Sequence, residues 1–279
     1  MKTRNLFLIF ALFTLLIQCK ENVKHPEDEE EKISNILFIH HSTGMVIYKG
    51  GSDSDTHNKM DVPVWFKNFN EAEGSSYQIT ELEFPDWEPY GWENYPYDYY
   101  NIWVRNAGGQ PYLEEPTLEM LTKDYDVIIF KHCYPVGHIM RDLGTPNINS
   151  TEKRIENYKL QYEALRIKMH LFPDTKFIVW TGAALLETNT NPEDATRAKE
   201  FFNWVKNSWD VQKDNIFIWD FYELETEGGL YLKKEYAMDV EDSHPAISFA
   251  KNIAPLFCQR IIDVIENDGE NTDLKGVSK

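Results

Sequence analysis

The chain has 279 residues and carries 28 Lys and Arg against 46 Asp and Glu, a formal charge of −18 at pH 7. That excess of acid argues against holding DNA or RNA through phosphates, which needs clustered basic side chains, and against adsorption to anionic lipid. With a leader and tails set aside, about 230–240 residues remain, enough for one α/β domain with a large core.

Residues 1–18 read as a signal peptide. Lys2 and Arg4 form a basic start, and residues 6–17 form an apolar run too short for a comfortable membrane span. The run ends in Leu16-Ile17-Gln18-Cys19, which is similar to a bacterial lipobox, and this implies lipidation of Cys19. Gln18 departs from the small residue usual before that cysteine. Residues 19–34 then form an acidic tether with few apolar residues. These features predict a chain held at the bacterial cell envelope by its lipid: outer-membrane, periplasmic or surface-exposed. Cys133 and Cys258 are the other two cysteines. Cys258 falls in an apolar helical run and is expected as a buried free thiol.

Four short apolar runs, at 36–39, 127–130, 177–180 and 216–219, lack polar alternation, as strands covered on both faces should. Helical patterns follow at 116–123, 151–170, 192–209 (Asn191 as N-cap) and 246–267 (Pro255 inside). The alternation of strand and helix predicts a doubly wound parallel sheet in a three-layer α/β/α domain spanning 35–266, with a disordered tail at 267–279. Residues 45–105 do not fit the rhythm. They are expected as a long aromatic insertion after the first strand, in which Pro interrupts a run of Trp, Tyr, Asp and Glu.

The first strand stops abruptly at His40-His41-Ser42-Thr43-Gly44. In open α/β sheets the carboxyl ends of strands are where ligands bind, so Ser42 is a candidate nucleophile. Some two hundred residues later comes Glu241-Asp242-Ser243-His244-Pro245. A histidine there can act as base, oriented through Nδ1 by Glu241 or Asp242; residue order does not choose between the two acids.

Taken in order, these blocks resemble the SGNH/GDSL-type hydrolases, over about residues 34–262. His40-His41-Ser42 stands where that family has Gly-Asp-Ser, Asn106-Ala107-Gly108-Gly109 at its second block, Asp126 to Cys133 at the approach to its third, and Glu241 to Pro245 at its Asp-x-x-His block. The resemblance implies a flavodoxin-like fold and ester hydrolysis, often deacetylation of sugars or lipids, with no cofactor and no metal. It implies Ser42 and His244 as catalytic residues and Gly108 or Gly109 as an oxyanion donor. The third-block asparagine is missing, which leaves Lys131, His132 or Cys133 to donate in its place, His132 foremost.

A carbohydrate ester is the expected substrate. Trp87, Trp92, Tyr95 and Trp103 of the insertion supply faces for sugar rings, with His41 and Lys131 as further pocket groups. The alternative for the aromatics is that they pin the segment to the domain as a satellite core. Two other readings compete for the whole protein: a non-catalytic glycan-binding lipoprotein on the same fold, and a metal-assisted hydrolase built from His40, His41, His132, His138 and His244.

Overall fold

The computed structural model describes residues 34–271. The expected signal peptide, Cys19, the tether up to residue 33 and residues 272–279 lie outside them. Five parallel strands form the sheet: β1 (Asn35–His40), β2 (Gln78–Glu83), β3 (Val127–Lys131), β4 (Lys176–Trp180) and β5 (Ile216–Trp219), in the order β2-β1-β3-β4-β5. Helices cover both faces, so the fold is a three-layer α/β/α domain.

The four apolar runs are the four strands β1, β3, β4 and β5, and their side chains alternate between two cores. Leu37, Ile39, Ile128, Phe130, Phe177 and Val179 point to one face. There they meet α3 (Pro96–Tyr100), α4 (Leu118–Asp124), α5 (Ile155–Met169) and α6 (Pro192–Trp204). Ile36, Phe38, Val127, Ile129, Ile178 and Trp180 point to the other face, against α1 (Thr43–Lys49), α2 (Asp61–Glu73), the start of α7 (Phe221–Thr226) and α8 (Ile247–Asn267). Asn191 caps α6 by accepting the Asp194 N–H, and α8 runs on through Pro255.

The segment 45–105 is not one insertion. It contains most of α1, then α2, the fifth strand β2, and α3 with the π-helical turn at 101–105 that extends it. β2 carries no continuous apolar run because it is an edge strand. Its sequence, Gln-Ile-Thr-Glu-Leu-Glu, keeps only Ile79 fully buried and leaves its remaining side chains at least partly exposed. The aromatic loop itself is only residues 84–95. At the other end, residues 268–271 fold back onto α8: Gly269 N–H bonds Asp263 O, and buried Arg260 bonds Gly269 O. Residues 267–271 are thus part of the folded domain, which corrects their assignment to a tail.

The turn from β1 into α1 is tightly packed. A Cβ on Gly44 would lie 2.4 Å from His40 Cβ and 3.0 Å from Lys131 Cδ. Only a residue without a side chain lets α1 start this close to β1 and β3. Gly44→Ala should therefore lower stability by about 1–3 kcal/mol in urea unfolding, the usual range for overpacking. Gly109→Ala, where nothing lies within 4 Å of the added carbon, should be nearly neutral.

Candidate active site

β1 has β2 on one side and β3 on the other, and the chain leaves β1 and β3 in opposite directions across the sheet. A crevice opens between their carboxyl ends for that reason. Ser42 enters it from β1 with φ of 24°, a value that non-glycine residues rarely adopt and that recurs at functional turns. Its Oγ lies 3.3 Å from Sγ of Cys133, which follows β3. Cys133 is itself held by a bond from its N–H to Asn94 O, 2.8 Å.

The candidate base comes from a hairpin. β6 (Ala237–Asp239) and β7 (Asp242–Pro245) pair antiparallel. Alternation along β7 sends Ser243 inward, where its hydroxyl accepts the Leu186 N–H, and sends Asp242 and His244 together to the other side. Asn189 holds the hairpin by donating to Glu241 O, and Thr188 donates to Val240 O. Asp242 Oδ1 lies 2.6 Å from His244 Nδ1 and 2.9 Å from the His244 backbone N–H. These two hydrogen bonds hold the Asp242 carboxyl below its ordinary pKa, so it is ionised. An ionised acceptor places the ring proton on Nδ1 and leaves Nε2 free as a base. Of the two acids, Asp242 is the one paired with the ring, because residues two apart share a strand face; Glu241 offers only its backbone carbonyl.

Ser42 and His244 share no hydrogen bond in this resting arrangement. What joins them is the pair Cys133-Tyr134. The Tyr134 ring meets the His244 ring edge-on at 5.4 Å and 78°, while Cys133 touches Ser42.

The expected oxyanion groups lie elsewhere. Gly108 O accepts from Thr117, just before α4, and Glu119 in the first turn of α4 pairs with Lys168 in the last turn of α5. That turn of α5 leads down to the start of β4, so Gly108 and Gly109 sit toward the amino edge of the sheet, away from Ser42. The chain turns there because α3 and its π-helical extension descend the sheet face before α4 returns toward β3. His132 continues the alternation of Phe130 into the opposite core, caged by Tyr99, Phe130 and Tyr162 with both ring nitrogens unpaired. It cannot donate into the crevice from there.

The substrate-binding residues divide. Trp103 is fully buried, packed on Phe84, Tyr99 and Phe130 with its N–H bonded to Pro116 O. Tyr95 is buried against Tyr158. Both are core, which corrects their assignment to a sugar platform. Lys131 is fully buried as well, its Nζ reaching His41 O at 3.4 Å, and desolvation lowers its pKa. It lies under the site and not in a pocket wall. Trp87 is 62% exposed and stacks on Trp92 at 4.6 Å and 22°. Trp92 in turn meets the His41 ring edge-on at 5.2 Å. His41 donates from Nε2 to Pro85 O at 2.7 Å, and burial lowers its pKa to about 4, so it stays neutral beside Ser42. An open two-ring shelf thus adjoins the crevice.

The five histidines of the metal reading do not gather. His40 packs on Phe38 near Glu81, His132 lies across the sheet, and His138 contacts Thr190 and Asp194. Among the described residues, no group of three or more His, Cys, Asp or Glu is arranged to hold a metal ion. A cavity of about 520 Å³ lies at the opposite edge of the sheet, lined by Asp214, Phe217 and Arg260, without a catalytic constellation.

Asn94 and Tyr134 are not marked as site residues by their order in the chain, and Cys133 is marked there only as one of three stand-ins for the missing asparagine. Their signal is position: Cys133 and Tyr134 are the second and third residues past the end of β3, where a switch-point crevice draws its groups.

No family model matches the chain, and no curated protein matches it. Among solved structures, one described as the active site of a carbohydrate esterase with divergent catalytic and non-catalytic binding functions is similar over 82% of this chain and 65% of that one, at 13% identity and a TM-score of 0.38.

Two buried carboxyls anchor the loop 84–95. Glu115 Oε1 accepts the Asp86 N–H at 2.6 Å, and Asp98 accepts the Tyr95 N–H and the Tyr90 hydroxyl. Desolvation raises both pKa values to about 7, from 3.8 for Asp98 and 4.5 for Glu115. Each group binds its proton more tightly folded than unfolded. Their contribution is therefore full below the unfolded pKa and is lost as pH rises through about 7. Urea unfolding should show stability falling between about pH 4 and pH 8, at up to about 1.4 kcal/mol per unit for each group. Asp98→Asn with Glu115→Gln should flatten that slope.

Proposed function

We propose that the protein is a serine hydrolase of the SGNH type that cleaves an ester, such as an O-acetyl group, on a carbohydrate. The observation that carries this reading is the meeting of three separate stretches at one crevice: Ser42 on a strained turn, Cys133-Tyr134, and the Asp242–His244 pair at 2.6 Å. Acyl transfer needs a nucleophile, a base and an orienting acid in that relation. Ser42 Oγ attacks the carbonyl carbon after a side-chain rotation that releases Cys133. His244 Nε2 takes the hydroxyl proton and returns it to the departing alkoxide, and Asp242 stabilises the imidazolium. The Ser42 backbone N–H faces the developing oxyanion.

The carbohydrate part of the reading is supported by the Trp87–Trp92 shelf. Ring C–H faces stack on indoles, and Trp is enriched where a surface must be both apolar and wet. The lipobox-like Leu16 to Cys19 supports secretion and anchoring at the cell envelope. A second reading, glycan binding without turnover, is favoured by one observation: Ser42 Oγ bonds Cys133 and not His244.

Ser42→Ala and His244→Ala should each abolish hydrolysis of acetylated sugars and aryl acetates while the protein stays folded. Asp242→Asn should lower kcat by about 10²–10⁴, through loss of the correct tautomer, whereas Glu241→Gln should leave it unchanged. Full activity in Ser42→Ala would overturn the hydrolase reading; polysaccharide binding with no turnover and no fluorophosphonate label on Ser42 would establish the second. Trp87→Ala should raise KM for an acetylated oligosaccharide several-fold and leave a small aryl acetate unaffected. Equal effects on both substrates would remove the shelf from sugar recognition.

A further inference from the structure

An ester carbonyl gains negative charge on its oxygen during attack, and removal of one aimed donor commonly costs about 10²–10³ in kcat. Gly108 and Gly109 lie toward the far edge of the sheet, and His132 faces the other core. The serine-hydrolase reading therefore leaves the Ser42 backbone N–H to meet that oxygen. The group is free to do so, for it donates to no other backbone group among the described residues. Its aim and strength depend on the peptide unit it belongs to, which runs from His41 C=O to Ser42 N–H.

That peptide is held from below. Lys131 is fully buried at the end of β3 and donates from Nζ to His41 O at 3.4 Å. The same oxygen accepts the Gly44 N–H at 2.8 Å, and the His41 ring donates to Pro85 O at 2.7 Å. The lysine stem lies against the turn, with Cδ 3.0 Å from the place that a Cβ on Gly44 would take. A lysine is costly to bury, and an apolar residue of similar length would fill the space at less cost. What the lysine adds is its hydrogen bond to His41 O, which an amine nitrogen makes with two protons or with three. Hydrogen bonds in series polarise one another, so a donor on the carbonyl strengthens the N–H of the same peptide. It also fixes the plane of that peptide next to Ser42, whose φ of 24° is a strained value.

We infer that Lys131 is a positioning residue for the nucleophile: through His41 O it holds and polarises the peptide whose N–H meets the oxyanion. The inference rests on the serine-hydrolase reading. Lys131 touches neither substrate nor reacting atoms. As Ser42 Oγ bonds to the carbonyl carbon and the carbonyl π pair moves onto oxygen, the Ser42 N–H meets the new charge. Lys131 Nζ meets the opposite end of the same peptide dipole and keeps its protons throughout.

The test compares wild type, Lys131→Met, Lys131→Met with Glu225→Gln, and a chain carrying thialysine at position 131. Each is followed by aryl acetate hydrolysis, by fluorophosphonate labelling and by binding of an aryl boronic acid, whose adduct with a serine is tetrahedral and anionic. Met keeps the length of the stem and loses the donor, so thermal stability should hold or rise. The kcat and labelling rate of Lys131→Met should fall about 10–10²-fold with KM within threefold. The boronic acid should bind it about tenfold more weakly or worse. Glu225, also buried, acts on Lys131 by its charge. The double variant leaves no such carboxyl behind and should be as slow as the single one. Thialysine returns the amine and should restore the rate to within threefold. A packing role would change stability, and neither boronic acid binding nor rescue by an amine would follow from it. A Lys131→Met chain that keeps full activity or loses its fold, or a double variant that recovers the rate, would overturn the positioning role alone. A wild type that neither labels nor turns over would instead overturn the serine reading, and the role of Lys131 with it.

Discussion

The site depends on one topological constraint, the divergence of the chain at β1. Because β1 pairs with β2 on one side and β3 on the other, the two connections that leave β1 and β3 cannot close over the gap between them. The groups of the candidate site are arranged around that gap. Ser42 arrives from β1 and Cys133 from β3. The loop 84–95 comes over from β2 and is tied back by Asn94 O to the Cys133 N–H. The β6–β7 hairpin is fastened to the segment after β4 through Ser243, Thr188 and Asn189. The gap is thus lined by residues from widely separated parts of the sequence, each carried by a rigid element.

The floor of the gap is unusual for its buried polar groups. Lys131 is fully buried beneath Ser42, and Glu225, also buried, accepts the Ala184 N–H at 2.6 Å. Burial moves both toward their neutral forms: it lowers the lysine pKa and raises the carboxyl well above its usual range. Groups of this kind are expensive to keep in an interior and concentrate where a fold needs a particular electrostatic setting. Their presence at the carboxyl edge, with apolar strand residues below, separates a polar working end of the sheet from an apolar structural body.

The aromatic segment shows how one composition serves two purposes. Phe84, Tyr95, Tyr99 and Trp103 point inward and pack on Phe130 and Tyr158, so they hold the segment to the domain. Trp87 and Trp92 point outward and stack on each other. The same residue types thus form a satellite core and an open shelf. The helical period of α3 turns Tyr99 and Trp103 inward together, four residues apart, while the loop before it is free to face solvent.

Much of the fold was legible in the order of residues. Strands covered on both faces have no polar alternation, so four of them stood out, and the helix patterns between them followed. The edge strand β2 did not, because a strand with one neighbour and partial solvent exposure looks like polar loop. The two ends of the candidate site are visible in the sequence too: a small polar run after a buried strand holds Ser42, and a histidine before proline is His244. What the order of residues could not supply was facing and direction. Whether His132 looks into the crevice or the core depends on the parity of β3. Which of Glu241 and Asp242 meets His244 depends on that stretch being a strand. Whether Gly108 lies near Ser42 or toward the opposite edge depends on how far α3 descends before the chain turns. Each of these is set by packing between segments distant in sequence, and only the tertiary structure decides it.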